Sequence, residues 1–277
     1  MAEVDLMRDV VSLPSAVESI EEIRIRARDR QLLVSLDYDG TLTPIVERPE
    51  KAVLSEEMRR ILSKLADLCT VAVITGRDLS DIKRLVGLEQ IYYAGSHGFD
   101  ILAPGDRHVF QTGTEFLPIL DRVQKALHEM RDSVPGVLIE RKRFSVAVHY
   151  RNVEAGSIRV VEQAVDRVLE DQQGLRKARG KKVFELQPEV DWHKGKALMW
   201  LLEGLDCGEV LPFFVGDDVT DEDVFQVLQG CGIGIVVRDD AAMEGPLQSA
   251  ARYALENQEQ VGVFLQMLIE MLREREG

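Results

Sequence analysis

Short apolar runs alternate along most of the chain with stretches that carry apolar residues at helical spacing. Runs rich in leucine, valine and isoleucine, each closed by a turn signal, are typical of buried strands in a parallel sheet. These runs cover residues 32–36, 71–74, 91–94, 210–215 and 233–237. Between them, helices are predicted from about Ser55, from near Asp78 and from the segment that opens at Asp191. This alternation predicts an α/β fold, a Rossmann-like parallel sheet with helices on both faces.

The two ends of the chain carry helical patterns of different quality. Residues 1–30 are predicted to form a leading helix, because Val17, Ile20 and Ile23 begin an imperfect apolar stripe that ends at Ile25. A final helix is predicted from about Glu259 to the end of the sequence. The leading helix carries no residues that suggest chemistry.

The alternation of strand and helix changes in the middle of the chain. There the pattern predicts, in order, a helix over 115–132, strands over 137–139 and 144–150, a helix over 154–172, a glycine- and lysine-rich loop, and a strand over 182–186. Because this order departs from the βαβ pattern, we predict a smaller α/β domain inserted at 113–188. Residues 1–112 and 189–277 then form the core domain.

Two aspartates, Asp37 and Asp39, directly follow the first predicted strand. Ligands of open α/β sheets bind beyond the carboxyl ends of such strands. The two carboxylates could hold a hard cation such as Mg²⁺. Alternatively, one could attack a substrate while the other serves as a general acid. A solvated turn that closes the strand is the third interpretation of this pair.

Other polar groups follow neighbouring strands and favour chemistry over a simple turn. Thr75 follows the second strand, Asp217 and Asp218 follow a later one, and Lys194 begins a helix. Parallel strands bring these positions to one edge of the sheet, where several carboxylates repel one another unless a cation neutralises them. Carboxylates, a lysine and a hydroxyl around a divalent cation are typical of a phosphoryl-transfer site.

Charge and composition limit the partners that the chain can bind. The formal net charge of −14 argues against a nucleic-acid or anionic-membrane surface, but it does not exclude a small anionic substrate. No apolar stretch approaches the length of a membrane-spanning helix, and no signal peptide is visible. Three cysteines, Cys69, Cys207 and Cys231, favour a cytoplasmic protein with reduced thiols over a disulfide framework.

Four motifs, in order, are similar to those of phosphatases of the haloacid dehalogenase superfamily. They are Leu36–Leu42, Ile74–Arg77, Lys194-Gly195 and Gly216–Asp223. The segments around Ser96-His97-Gly98, Glu140–Ser145 and Asp191–Leu198 bring the chain closer to the trehalose-6-phosphate phosphatase family. This resemblance runs from residue 32 to residue 265.

The resemblance implies a role for each motif residue at the sheet edge. Asp37 would take the phosphoryl group as an aspartyl-phosphate, and Asp39 would protonate the leaving sugar oxygen and then activate water. Thr75 and Lys194 would bind phosphoryl oxygens. Mg²⁺ would be held by the Asp37 carboxylate, the Asp39 carbonyl and Asp217, with Asp218 and Asp221 in support.

The resemblance also implies a set of substrate-binding residues. The insert would be a mobile cap of the α/β type whose Glu140, Lys142 and Glu185 hydrogen-bond the sugar hydroxyls. At the active edge we expect Gly76 and Arg77 to contact the substrate. His97 either contacts the substrate or cap, or has a structural role in its turn.

Three functional alternatives follow from these motifs. The first is a Mg²⁺-dependent phosphatase of trehalose 6-phosphate that works on this phosphorylated disaccharide alone or in association with a trehalose-6-phosphate synthase. The second is a phosphatase of sucrose 6-phosphate, mannosyl-3-phosphoglycerate or another sugar phosphate. The third is a non-catalytic sensor of sugar phosphates, which intact Asp37 and Asp39 disfavour.

Overall fold

The computed structural model describes residues 7–46, 48–131, 133–180, 182–205, 209–238 and 248–276. The strands are β1 (Arg8–Asp9), β2 (Gln31–Leu36), β3 (Thr70–Ile74), β4 (Tyr92–Gly95), β5 (Asp100–Ala103), β6 (Arg107–Gln111), β7 (Leu138–Lys142), β8 (Ser145–His149), β9 (Leu175–Gly180), β10 (Val183–Pro188), β11 (Val210–Gly216), β12 (Ile233–Val237), β13 (Gln248–Ser249) and β14 (Tyr253–Leu255). The α-helices are α1 (Ile20–Ala27), α2 (Glu56–Ala66), α3 (Leu79–Val86), α4 (Leu117–Arg131), α5 (Ile158–Glu170), α6 (Lys194–Gly204), α7 (Glu222–Val227) and α8 (Gln258–Glu276).

The elements form two compact units along the chain. The first unit combines Met1–Val109 with His193–Gly277, and the second is Phe110–Trp192. The sequence pattern had put the ends of the insert at residues 113 and 188. We call the first unit the core unit and the second the inserted unit.

The core unit is built on one eight-stranded sheet, in the order β14-β12-β11-β2-β3-β4-β5-β6. The strands from β14 to β4 run parallel, and β5 pairs antiparallel with β4. Strand β2 lies in the middle and is buried from Leu32 to Leu36, so its side chains are covered on both faces of the sheet. Apolar residues of α2, α3 and α8 pack against one of these faces. The parallel-sheet fold predicted from the alternation is confirmed.

The inserted unit has a four-stranded antiparallel sheet, in the order β7-β8-β10-β9. Side chains alternate between its two faces. The apolar face, with Val146, Val148 and Phe184, packs against α4 and α5. The opposite face is polar, because Glu140 of β7 and Glu185 of β10 are both register partners of Ala147 of β8. One row across three strands therefore carries two carboxylates.

The predicted leading helix is much shorter than expected. Only Ile20–Ala27 is α-helical, the Ile25 side chain is exposed, and residues 1–6 lie outside the described part of the chain. Before α1 the backbone follows the sheet edge instead: the carbonyl of Pro14 accepts a hydrogen bond from the Ala254 amide at 2.9 Å. Proline cannot donate within a helix, so pairing with β14 replaces a helical turn here.

The glycine- and lysine-rich segment predicted as a loop is strand β9. It pairs with β10 over its whole length, from Gly180 opposite Val183 to Leu175 opposite Pro188. Strands at the edge of a sheet often carry charged residues, so a glycine- and lysine-rich composition does not exclude a strand here.

Two further expectations concern cysteines and membranes. Cys69 and Cys231 carry free thiols, and Cys207 lies outside the described residues. No helix in the described ranges is long and apolar enough to cross a membrane.

Candidate active site

Three adjacent parallel strands bring the predicted residues to one sheet edge. Asp37 follows β2, Thr75 follows β3 and Asp217 follows β11, and these strands are neighbours in the sheet. Lys194 is the first residue of α6. All four residues are buried. The sequence prediction that their positions share one edge agrees with this strand order.

Three carboxylates meet at this edge. One oxygen each of Asp37, Asp217 and Asp221 lies within 4.8 Å of the others. Asp221 organises the group, because its Oδ2 atom accepts hydrogen bonds from the amides of Asp217 at 2.9 Å and Asp218 at 3.0 Å. The same carboxylate closes a capping box around the turn Val219–Asp221. Its position is therefore fixed by the backbone.

Lys194 joins two of these carboxylates. Its Nζ atom donates to Asp221 Oδ1 at 2.7 Å and lies 3.1 Å from Asp37 Oδ1. Burial disfavours the lysine charge, but Asp221 and Asp37 outweigh it and raise the pKa of Lys194. Lys194 is therefore a fixed positive charge at the centre of the cluster.

Burial dominates the electrostatics of Asp37. It raises the pKa of the Asp37 carboxyl well above its usual range, Lys194 opposes this, and Asp221, Asp217 and Asp39 add to it. The charge of one lysine therefore does not offset the burial of Asp37 together with the three neighbouring carboxylates. A bound cation would favour the ionised form of Asp37 and so reverse the shift.

The donor set fits a hard divalent cation. Asp37 Oδ1 is buried, and Lys194 Nζ lies 3.1 Å from it. Gly40 has a φ of +85°, and a Cβ built on it would lie 2.1 Å from Asp217 Oδ2. The turn after β2 therefore presses its backbone against the Asp217 carboxylate. Thr41 Oγ1 donates to the other oxygen of Asp217 at 3.2 Å. Three carboxylate oxygens within 4.8 Å of one another suit a cation that takes oxygen ligands.

The carboxylates of the other two predicted metal residues have different partners. Asp218 Oδ1 accepts from the Val219 amide at 2.7 Å and so caps the following turn. Asp39 forms a two-point ion pair with Arg77, with Nε–Oδ2 and Nη2–Oδ1 distances both of 2.7 Å. Neither carboxylate belongs to the buried cluster of three.

Thr75 and its neighbours form a tight turn. Thr75 Oγ1 accepts from the Arg77 amide at 3.3 Å, and the Thr75 carbonyl accepts from the His97 amide at 2.8 Å. His97 has a φ of +59°, and a Cβ on Gly76 would lie 2.8 Å from its Cε1 atom. The His97 ring therefore packs directly against Gly76, which gives it a structural contact at the active edge.

The polar face of the inserted unit holds the three predicted sugar-binding residues in close polar contacts. Lys142 Nζ lies 3.1 Å from Glu185 Oε1, and His149 Nε2 lies 2.8 Å from Glu140 Oε2. Burial acts to raise the pKa of Glu140, but the hydrogen bond to His149 and the charge of Lys142 outweigh it and lower that pKa. Glu140 is therefore held as a carboxylate.

Ser145 is a member of this group that sequence reasoning missed. Its Oγ atom donates to Glu185 Oε1 at 2.6 Å. The signal was present in the pattern: Arg143 and Phe144 form a two-residue connection between two strands, which puts Ser145 opposite Lys142.

Comparisons with known proteins agree with this geometry. A family model described as trehalose-phosphatase matches residues 35–259. "Probable trehalose-phosphate phosphatase D" of Arabidopsis thaliana is 42% identical over 271 residues, which cover 93% of this chain and 72% of the relative.

Solved structures extend the likeness to the fold. A "trehalose-6-phosphate phosphatase related protein" aligns over 88% of this chain and 99% of its own, with a TM-score of 0.75 and 24% identity. A "haloacid dehalogenase-like hydrolase from Bacteroides thetaiotaomicron" aligns over 86% of this chain and 99% of its own, with a TM-score of 0.59 and 16% identity. At this identity the likeness concerns the fold, and it confirms the predicted fold class.

Proposed function

The chain belongs to the trehalose-phosphatase family of phosphatases, and we propose that it hydrolyses trehalose 6-phosphate to trehalose and phosphate with Mg²⁺. The observation that carries the proposal is the buried group of Asp37, Asp217, Asp221 and Lys194 at one sheet edge. A nucleophilic carboxylate beside fixed positive charge is the arrangement that phosphoryl transfer needs.

The first half of the reaction transfers the phosphoryl group to the protein. The Asp37 carboxylate attacks phosphorus, a bond forms between its oxygen and phosphorus, and the bond from phosphorus to the sugar oxygen breaks. Asp39 gives its proton to that sugar oxygen, so trehalose leaves as a neutral alcohol. Lys194 and the Thr75 hydroxyl bind phosphoryl oxygens and hold the group in line with Asp37.

The second half releases phosphate. Asp39, now ionised, takes a proton from a water molecule, whose oxygen attacks phosphorus and expels the Asp37 carboxylate. Both aspartates thereby return to their starting states, and the sum of the two halves is hydrolysis.

The oxygen donors proposed for Mg²⁺ are the Asp37 carboxylate, the Asp39 carbonyl and Asp217. Asp221 and Asp218 support this set by fixing the turn after β11. When bound, the cation would neutralise phosphoryl and carboxylate charge, which lets the two anions approach each other. The close fit of Gly40 to Asp217 supports this assignment.

Sugar recognition is assigned to the inserted unit as a cap. Glu140, Lys142 and Glu185 combine acceptors and a donor on one face of its sheet, which suits a ligand with many hydroxyls. The family name supports trehalose 6-phosphate over other sugar phosphates. A cytoplasmic location and association with a trehalose-6-phosphate synthase stay predictions from the sequence.

The decisive experiment compares substrates and metal in one assay. Phosphate release is measured from trehalose 6-phosphate, sucrose 6-phosphate, mannosyl-3-phosphoglycerate and glucose 6-phosphate, with Mg²⁺ and with a chelator. The expected result is the highest kcat/KM for trehalose 6-phosphate and loss of turnover in chelator. A different preferred sugar would correct the substrate and keep the chemistry. Binding of trehalose 6-phosphate without turnover would replace the enzyme with a sensor.

A further inference from the structure

Asp39 has two tasks in the proposed reaction, and both depend on where its carboxylate points. Its side chain is 39% exposed, so packing alone does not fix it. The contact that does is with Arg77, whose Nε and Nη2 atoms each lie 2.7 Å from a different Asp39 oxygen. Two parallel bonds between guanidinium and carboxylate set the orientation of the carboxylate as well as its position.

Arg77 is itself anchored from several sides. Its side chain is 8% exposed, and Nη1 donates to Asp81 Oδ2 at 2.8 Å on the first turns of α3. The guanidinium carbon lies 5.2 Å from the ring centroid of Tyr38, the residue between Asp37 and Asp39. A side chain held by Asp81 and by the Tyr38 ring is a rigid support for a half-exposed partner.

The charge of this support is permanent. Burial works against the Arg77 charge, but Asp39 and Asp81 outweigh it and raise the pKa of the guanidinium. Each Asp39 oxygen keeps a second lone pair when it accepts one bond from Arg77. The remaining lone pair of one oxygen can carry the proton that goes to the sugar oxygen, or accept a proton from a water molecule, while the orientation of the carboxyl group stays defined.

These contacts differ from those of a phosphate-binding arginine. Nε, Nη1 and Nη2 of Arg77 all donate to the carboxylates of Asp39 and Asp81. The sequence motif had predicted contact between Arg77 and the substrate. We infer instead that Arg77 is a positioning residue, which acts on the reaction by orienting the Asp39 carboxylate. The inference rests on the proposed function, in which Asp39 protonates the leaving group.

The test uses two substrates that differ in their need for a proton. The sugar oxygen of trehalose 6-phosphate leaves as an alkoxide unless Asp39 protonates it, whereas the nitrophenolate of para-nitrophenyl phosphate leaves without help. We expect Arg77→Gln to lower kcat/KM for trehalose 6-phosphate by about 30-fold or more, and that for the aryl phosphate by less than about 3-fold. The KM values for both substrates should change little.

Three variants complete the design. Arg77→Lys keeps the charge but not the two-point geometry, so it should restore the trehalose 6-phosphate activity only in part. Arg84→Gln is the matched control, because Arg84 also pairs with Asp81 from the exposed side of α3 and should leave both activities unchanged. Asp39→Asn is the reference variant: like Arg77→Gln, it should lower kcat/KM for trehalose 6-phosphate more than that for para-nitrophenyl phosphate, and by a larger factor.

The outcomes separate the inference from the proposed function. If Asp39→Asn depends on the leaving group but Arg77→Gln slows both substrates equally or raises both KM values, Arg77 binds phosphate or supports the fold, and the positioning role is wrong. If Asp39→Asn itself slows both substrates equally, the proton-donor role is wrong, and the positioning role falls with it. A melting curve for each variant shows whether it is folded.

Discussion

The charged groups of the two units are arranged in opposite ways. In the core unit, Asp37, Lys194 and Asp221 have side-chain exposures of 7%, 2% and 0%, and each charge is fixed by another charge or by the backbone. In the inserted unit, Glu140 and its partner His149 are 38% and 26% exposed. The first group is rigid and desolvated, whereas the pair of Glu140 and His149 remains within reach of water even though the neighbouring Lys142 and Glu185 side chains are only 15% and 10% exposed.

The difference follows from what each group has to do. Burying charges is costly, and the cost is tolerated where a fixed field at the reacting atoms accelerates a reaction. Under the proposed function, sugar hydroxyls would replace existing partners, and a half-exposed charged pair in water is worth only a few tenths of a kcal/mol to about 1 kcal/mol. Substitutions in the core unit should therefore affect catalysis by orders of magnitude, whereas those in the inserted unit should shift substrate preference.

The largest effect is expected for Asp37→Asn. The amide keeps the shape of the side chain but cannot form an acyl-phosphate, so kcat should fall by about 10⁴-fold or more. Phosphate release measures the loss, and a melting curve checks the fold. Asp223→Asn, an exposed acid on α7, is the control and should keep its activity. Activity of Asp37→Asn within tenfold of the unaltered protein would contradict the covalent mechanism.

The next effect is expected for Gly40→Ala. The added Cβ would meet Asp217 Oδ2 at 2.1 Å, and alanine disfavours a φ of +85°. We expect a loss of about 2 kcal/mol or more in the free energy of unfolding, together with loss of Mg²⁺-dependent activity.

Gly105→Ala is the matched control for this substitution. Gly105 has a φ of +71°, but nothing lies within 4 Å of its Cβ position. Gly105→Ala should therefore lower the free energy of unfolding by about 1 kcal/mol, the cost of the backbone strain alone, and leave the activity unchanged. If Gly40→Ala and Gly105→Ala lowered the free energy of unfolding in urea and the phosphate-release activity equally, the contact of Gly40 with Asp217 would be unimportant.

A smaller effect is expected for Glu140→Ala in the inserted unit. Loss of one charged acceptor should raise KM for trehalose 6-phosphate by about tenfold and leave KM for para-nitrophenyl phosphate within about twofold. Glu162→Ala is the control, because Glu162 on α5 pairs with Lys177 and is not part of the row with Glu140 and Glu185. If Glu140→Ala changes both KM values alike, Glu140 does not contact the sugar.

The smallest effect concerns pH. Because the hydrogen bond to His149 and the charge of Lys142 lower the pKa of Glu140 in the folded state, these contacts add stability above the ordinary pKa of glutamate, and this stability is lost as pH falls through the lowered value. Since Glu140 is half-exposed, the contribution should be about 0.5 kcal/mol at most. Chemical unfolding of the unaltered protein and of Glu140→Gln between neutral and acidic pH measures it. If the unaltered protein gained stability over Glu140→Gln as the pH falls, the pKa of Glu140 would be raised in the folded state, which would contradict this prediction.

The sequence predicted most of the core unit because its strands are buried on both faces. In the sequence such strands are continuous apolar runs. The start of α2 was also predicted correctly, because the Ser55 hydroxyl caps this helix by accepting a hydrogen bond from the Met58 amide at 3.1 Å. The failures lie where pairing with distant segments decides the structure. Strand β9 exists because β10 lies beside it, and the segment before α1 is extended because Ala254 pairs with it. No local pattern contains that information.

The sequence predicted which strand ends meet at the sheet edge, but not which side chains contact one another there. Strand order brought Asp37, Thr75 and Asp217 to one edge, as the βαβ pattern requires. The pairing of Arg77 with Asp39 joins residues 38 positions apart, and only side-chain geometry reveals it. Side-chain geometry is also needed to distinguish Asp217 from Asp218, which are neighbours in the sequence but accept hydrogen bonds from different partners.

One consequence of the Asp221 contacts concerns how the protein can be observed. A single carboxylate accepts the amide protons of Asp217 and Asp218 and also holds the ammonium of Lys194. If that turn frays, these two amides exchange with solvent at the moment when the lysine loses its anchor. Hydrogen exchange at two backbone positions can thus report, without any substrate, what fraction of the molecules is ready to react.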